Sequence, residues 1–207
     1  MLRILLVVLS SFFAALATGA PRPVLVLGDS LSAAYGLAPK EGWVALLDER
    51  LAAARPARDV VNASISGETS AGGLARLPAL LKEHAPALVV VELGANDGLR
   101  GLPLAQLRSN LAAILEAVRR AGARAVLVGI ELPVNYGPQY RDGLRELYRG
   151  LADEFNVPLV PFLLDGVALD PALMQDDGLH PRAAGEPRVL ENVWKVLEPA
   201  LRALPAR

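Results

Sequence analysis

A chain of 207 residues, 53% hydrophobic and 21% charged, fits one globular domain able to bury its core without metals or cross-links. The formal net charge of −1 supplies no phosphate-binding surface and argues against a nucleic-acid partner. Cysteine is absent, which excludes disulfides, thiolate metal sites, cysteine nucleophiles and lipoprotein processing.

Arg3 precedes an uncharged, largely apolar run over residues 4–17, and small residues follow. This is the layout of a secretory signal peptide. Residues 1–20 are therefore expected to be a signal peptide, with cleavage after Ala17 or Gly19, and residues 21–207 a single domain. The apolar run is short for a span of ~20 residues. The mature chain is expected to be periplasmic or secreted, a monomer, without a stable membrane anchor.

From residue 23 onward, short apolar runs alternate with helical patterns. Residues 24–27 read as a buried parallel strand. Trp43, Leu46, Leu47 and Leu51 recur at helical spacing, and residues 59–62 read as a short second strand. Residues 71–84 carry Leu74, Leu77, Leu80 and Leu81 and read as a helix with a bend at Pro78. Residues 87–93 are the clearest buried strand. Pro103 opens a helix with Leu107, Leu111, Ile114, Leu115 and Val118 on one side, closed by Gly122. Residues 125–130 read as strand four and 131–138 as a loop rich in proline, glycine and asparagine. A helix over about 139–155 precedes a short strand at 157–160, placed at an edge because Pro158 cannot donate to a ladder. Residues 161–180 are mostly irregular, and a last helix covers roughly 186–201. The alternation predicts an α/β fold: a three-layer α/β/α sandwich around a five-stranded parallel sheet, flavodoxin-like.

Candidate chemistry clusters at the predicted strand ends. Gly28-Asp29-Ser30-Leu31-Ser32 follows strand one, where ligands bind in open α/β sheets, so Ser30 is a candidate nucleophile on a rigid support. There are two histidines, which limits the search for a base. His84 lies at a helix end and is expected to be solvated. His180 follows Asp177 by three residues across Gly178. That spacing lets the carboxylate reach Nδ1 and leaves Nε2 free to take a proton. The same residues also suit a structural Asx-turn ahead of a helix. Asp176 is expected to be solvated. Asn96, in Gly94-Ala95-Asn96-Asp97-Gly98 after strand three, can present its amide on the edge that carries Ser30, with Asp97 bracing the loop. Gly67, after strand two, lets a backbone N–H approach a ligand. Ser64, Ser66 and Ser70 shape or cap that turn, and Gly72 and Gly73 ease helix packing.

At these residues the chain resembles the SGNH (GDSL-type) hydrolases. Gly28-Asp29-Ser30-Leu31-Ser32, Gly67, Gly94-x-Asn96-Asp97 and Asp177-x-x-His180 match the four family blocks in order, and the similarity spans essentially the whole mature chain. It is closer still to the periplasmic multifunctional thioesterase/protease/lysophospholipase branch, through Val61-Asn62-Ala63-Ser64-Ile65-Ser66-Gly67 and Asn96-Asp97-Gly98-Leu99-Arg100-Gly101. Ala95 and Glu68 depart from that branch, which commonly has glycine and aspartate there. An α/β-hydrolase elbow, Gly-x-Ser-x-Gly, fits less well because Ser32 stands where it needs glycine.

The resemblance and the residue chemistry together imply a serine esterase. Ser30 attacks an acyl carbonyl, His180 shuttles the proton, Asp177 orients His180, and the oxyanion is held by the Ser30 and Gly67 N–H groups and the Asn96 amide. No metal or cofactor is required. Asp29 is expected to brace the turn. Gly98, Leu99, Leu102, Leu132 and Pro133, in two apolar loops, are candidates to bind an acyl chain. The expected partners are acyl esters, thioesters and lysophospholipids. The alternatives are a short-chain carbohydrate acetylesterase, which the apolar loops disfavour, and a non-catalytic binding module, which would have no use for the complete constellation.

Overall fold

The computed structural model describes residues 21–204, so the expected signal peptide lies outside the described residues. Five strands, β1 (Val24–Gly28), β2 (Val60–Asn62), β3 (Leu88–Glu92), β4 (Arg124–Val128) and β5 (Leu159–Val160), form one parallel sheet in the order β2-β1-β3-β4-β5. The helices are α1 (Trp43–Ala52), α2 (Ser70–His84), α3 (Ala95–Leu99), α4 (Leu104–Arg120), α5 (Pro138–Phe155) and α6 (Glu186–Arg202).

The near-continuous apolar strands have the physical basis expected of a doubly covered sheet: successive side chains point to opposite faces, and both faces are buried. Val24, Val26, Leu88, Val90, Val126 and Val128 pack with Trp43 and Leu47 of α1 and Val189, Val193 and Leu197 of α6. Leu25, Leu27, Val89, Val91 and Leu127 pack on the other side with Leu77 of α2, Leu111 and Ile114 of α4, and Leu144 and Leu151 of α5. This is the three-layer sandwich expected from the alternation of strands and helices.

The connection after β1 runs outward to β2, and the next crosses back to put β3 on the opposite side of β1. That reversal opens a crevice at the carboxyl ends of β1 and β3, where ligands bind in such sheets. Local departures from the sequence reading are small. Helix α2 runs unbroken through Pro78. Residues 95–99, expected as a turn, form the short helix α3 because Gly94, at φ 122°, swings the chain sharply off β3. A side chain at Gly94 would also place its Cβ 2.3 Å from the Tyr148 hydroxyl, so the turn requires glycine. β5 lies at the edge, starting just after Pro158, whose carbonyl accepts Leu127 N–H at 2.9 Å.

A buried acid ties α6 to α1. Glu186 Oε2 accepts the Trp43 N–H at 2.8 Å, satisfying one of the unpaired donors at the start of α1. Burial raises the Glu186 pKa from 4.5 to about 7, only partly opposed by that amide. A raised acid favours the folded state most when protonated, and its contribution is lost as pH rises from about 4.5 to about 7. Glu186→Gln is therefore expected to gain stability relative to the parent between pH 5 and 8, by up to about 3 kcal/mol. Paired denaturant titrations across that range read the difference, and a pH-independent offset would refute the titration.

Candidate active site

Ser30 sits one residue beyond the buried β1 and its following Asp29, at the mouth of the crevice. The turn is tight. Asp29 Oδ1 accepts Leu31 N–H at 3.0 Å, and Ser32 and Ala33 amides bond the Asp29 carbonyl at 3.3 and 3.0 Å. A Cβ on Gly28 would lie 2.7 Å from Ser32 Cβ and 2.8 Å from Glu92 Oε2, so the close approach of β1 to the turn needs glycine. Trp43 Nε1–H donates to Leu31 O at 3.1 Å and fixes the turn to α1.

The turn that follows residues 161–174 brings His180 across the molecule to Ser30. His180 Nε2 lies 2.8 Å from Ser30 Oγ, and Nδ1 lies 2.7 Å from Asp177 Oδ2. The other Asp177 oxygen accepts the Leu179 and His180 N–H groups at 2.8 and 3.0 Å. One aspartate thus makes both the Asx-turn and the ring contact, so the two sequence readings of this segment are not exclusive. Burial pushes the Asp177 carboxyl up, but the Leu179 amide, the His180 ring and the His180 amide outweigh it and hold the pKa below the ordinary aspartate value. An ionised Asp177 takes the Nδ1 proton as a hydrogen bond, which leaves Nε2 as the acceptor toward the serine hydroxyl. Gln175 clamps the same segment: its N–H bonds His180 O at 2.8 Å, and its side-chain amide bonds the Tyr35 and Pro181 carbonyls, both at 2.8 Å. The Tyr35 ring lies against the imidazole, centroids 4.5 Å apart.

The three expected oxyanion donors lie on different elements: Ser30 after β1, Gly67 after β2 and Asn96 in α3. Among the described residues neither the Ser30 N–H nor the Gly67 N–H is engaged in a hydrogen bond. Asn96, in the first turn of α3, donates one Nδ2 hydrogen to Asp29 Oδ2 at 3.1 Å and has a second to offer. The loops carrying Gly67 and Asn96 are stitched together behind the site. Asp97, which is buried, accepts the Ser70 N–H at 2.8 Å and the Ser70 hydroxyl at 2.5 Å. Asn110 of α4 donates to that hydroxyl at 2.9 Å. Asp97 is thus the brace the sequence suggested, and Ser70 opens α2 as its partner.

Beneath the turn lies a buried acid that the sequence reading passed over. Glu92, the last residue of β3, is fully buried; its Oε2 accepts the Ser32 hydroxyl at 2.7 Å and the Asp29 N–H at 3.2 Å. Burial and the Asp29 charge raise its pKa well above the ordinary carboxyl value. Asp29 is also fully buried, and burial raises it to about 6 against the Leu31 amide, Asn96 and the charge of His180. The signal was present in the sequence: a glutamate ending an otherwise apolar, doubly buried strand is the informative residue in that strand. Asp176 is exposed, paired with Arg182 at 2.6 Å, as expected of a solvated neighbour. His84 is partly buried at the end of α2, just ahead of β3 and so on the sheet edge opposite the strand ends that carry Ser30 and Asn96, with Glu83 3.7 Å away.

The loop residues divide. Gly98 and Leu132 are buried against each other, a Cβ on Gly98 falling 2.8 Å from Leu132 Cδ1, and Leu132 belongs to the core. Leu102 and Pro133 are exposed and Leu99 is partly so. Tyr136 and Tyr140 hydroxyls hold the Leu99 and Leu102 carbonyls at 2.8 and 2.7 Å, and Arg100 reaches the Gly67 carbonyl at 3.0 Å.

A parallel-sheet sandwich with serine, aspartate–histidine and amide donors on one edge defines a class of acyl-transfer hydrolases, and the chain belongs to the GDSL-like Lipase/Acylhydrolase family, whose model matches residues 26–187. It is 56% identical over 182 residues to Esterase TesA of Pseudomonas aeruginosa, covering 88% of this chain and 90% of that one. It is 48% identical over 176 residues to Thioesterase 1/protease 1/lysophospholipase L1 of Escherichia coli strain K12, covering 85% and 83% of the two chains. An Arylesterase of Vibrio mimicus is 44% identical over 197 residues, 95% of this chain and 98% of that one. A crystal structure of TesA superposes with a TM-score of 0.82 at 56% identity, covering 86% of this chain and 98% of that chain.

Proposed function

We propose that this chain hydrolyses carboxylic esters and thioesters, lysophospholipids among them, through a Ser30-His180-Asp177 triad and an acyl-enzyme. The observation that carries the reading is the unbroken relay Asp177–His180–Ser30, with contacts of 2.7 and 2.8 Å. Ser30 Oγ attacks the acyl carbon as its proton passes to His180 Nε2. The developing charge on the carbonyl oxygen is met by the Ser30 and Gly67 N–H groups and the free hydrogen of Asn96. The His180 proton goes to the leaving alcohol or thiol, and water repeats the steps on the acyl-enzyme. The named activities of the relatives, esterase, thioesterase, lysophospholipase and arylesterase, share this acyl-transfer chemistry. Residues 1–20, as a cleavable signal, would export the enzyme.

Leu99, Leu102 and Pro133 are the apolar side chains this reading assigns to the acyl chain: Leu102 and Pro133 are exposed, Leu99 is partly so, and Leu132 lies in the core. Burying each added methylene contributes about 0.8 kcal/mol. In a series of nitrophenyl esters, kcat/KM is expected to rise by about tenfold per two carbons from acetate toward medium chains. A maximum at acetate would overturn the acyl-wall assignment and favour a short-chain acetylesterase. A fluorophosphonate probe is expected to label the parent and not Ser30→Ala; equal labelling of the two would overturn the nucleophile.

A further inference from the structure

The Asp29 carboxylate has both oxygens committed. Oδ1 accepts the Leu31 N–H at 3.0 Å and Oδ2 accepts Asn96 Nδ2 at 3.1 Å. A side-chain amide has two faces of nearly equal shape, one nitrogen and one oxygen. An ionised carboxylate has no proton to give, so only the nitrogen of Asn96 can face it. The amide is then locked with its remaining N–H toward the substrate rather than its oxygen. The flipped amide would set a carbonyl dipole against the developing oxyanion.

We propose that Asp29 is a positioning residue for the oxyanion donor, its carboxylate fixing the amide orientation of Asn96, and that Glu92 beneath it is the neutral partner that lets Asp29 keep the one negative charge of this buried pair. The proposal rests on the reading of Asn96 as an oxyanion donor. Its support is geometric. Glu92 Oε2 already receives two donors, the Ser32 hydroxyl and the Asp29 N–H, while Oε1 is buried with no hydrogen-bond partner among the described residues. A carboxylate with one oxygen bare in the core is costly, so the proton resides on Oε1. The titratable groups that couple to Asp29 are Glu92 from β3, Asp97 from α3, His180 from the C-terminal turn and Tyr148 from α5, the last held neutral by burial. Of these, His180 favours ionised Asp29 and Asp97 opposes it, and the raised pKa of Glu92 fits the neutral partner. Below the Asp29 transition its hydroxyl can donate to the Asn96 oxygen, and the orientation lock is lost.

The test is a kinetic cycle. Asn96→Ala is expected to lower kcat by about 10²–10³. Asp29→Asn has one oxygen for two donors and turns an NH₂ on one of them; it is expected to lower kcat about tenfold with KM changed less than about twofold. Placed in the Asn96→Ala background, Asp29→Asn is expected to cost less than about twofold more, because the group it positions is gone. Near-normal turnover of Asn96→Ala would overturn the oxyanion reading itself. An impaired Asn96→Ala combined with a full extra tenfold loss in the double variant, or with an Asp29→Asn that costs nothing alone, would overturn the positioning role and leave the oxyanion reading standing. A second measurement needs no variant to retain its fold. The Asn96 side-chain amide signals of the ¹⁵N-labelled parent are expected to shift with the Asp29 carboxyl transition, between pH 5 and 7. Amide signals that are flat across that range would overturn the proposal.

Discussion

Ser30→Ala and His180→Ala are each expected to lower kcat by on the order of 10⁵–10⁶, and the double variant to be no slower than either. The reason lies in the relay. Without the Nε2 acceptor at 2.8 Å the hydroxyl remains a weak neutral nucleophile, and without the hydroxyl the imidazole has nothing to activate. The two residues act as one unit, so their losses do not multiply. Asp177→Asn should cost less, on the order of 10²–10⁴, because it perturbs the tautomer and leaves the base in place. The Asp177 side chain is 37% exposed, so water competes for the same ring hydrogen and the loss belongs toward the lower end. Single-turnover kinetics on a nitrophenyl ester, with folding checked by thermal melting, measure all four proteins. A folded Ser30→Ala within tenfold of the parent would remove Ser30 from the chemistry.

Asn96→Ala is the second large expected effect, on the order of 10²–10³ in kcat with KM little changed. Two of the three proposed donors are backbone N–H groups, at Ser30 and Gly67, which only proline would delete, and at Gly67 the φ of 80° excludes proline. Asn96 is the one donor whose side chain can be removed cleanly. It stands in the first turn of α3, so truncation leaves the helix, and the Asp97–Ser70 bonds behind it remain. The selective fall in kcat distinguishes a donor that acts in the transition state from a residue that binds ground-state substrate. A matching rise in KM would assign Asn96 to substrate binding instead.

Much of this architecture is legible in one dimension because its causes are local. The valine- and leucine-rich runs at β1, β3 and β4 can only be buried on both faces, and that demands helices on either side. The Asp177-to-His180 pair is legible for the same reason: a three-residue turn determines its own contacts. The 95–99 segment is not legible in this way: asparagine, aspartate and glycine are turn formers, and their helix depends on Gly94 turning against the distant Tyr148. Leu132 has the composition of an acyl wall, yet it packs into the core beneath Gly98, and only the loop's position over α3 decides which.

The sequence by itself determined the layers, the strand count, the edge position of β5 and the identity of the chemical groups, because hydrophobic period, proline geometry and short-range turns need no partner to be read. The tertiary structure alone decided what those groups do together. Ser30 and His180 are 150 residues apart and meet at 2.8 Å, and Asn96 reaches Asp29 across 67 residues. Glu92, silent in the sequence reading, becomes the floor of the site. Such contacts arise from the reversal of strand order between β2, β1 and β3, which gathers separate strand ends at one crevice. No local pattern encodes that reversal; it follows from how the helices pack across the whole sheet.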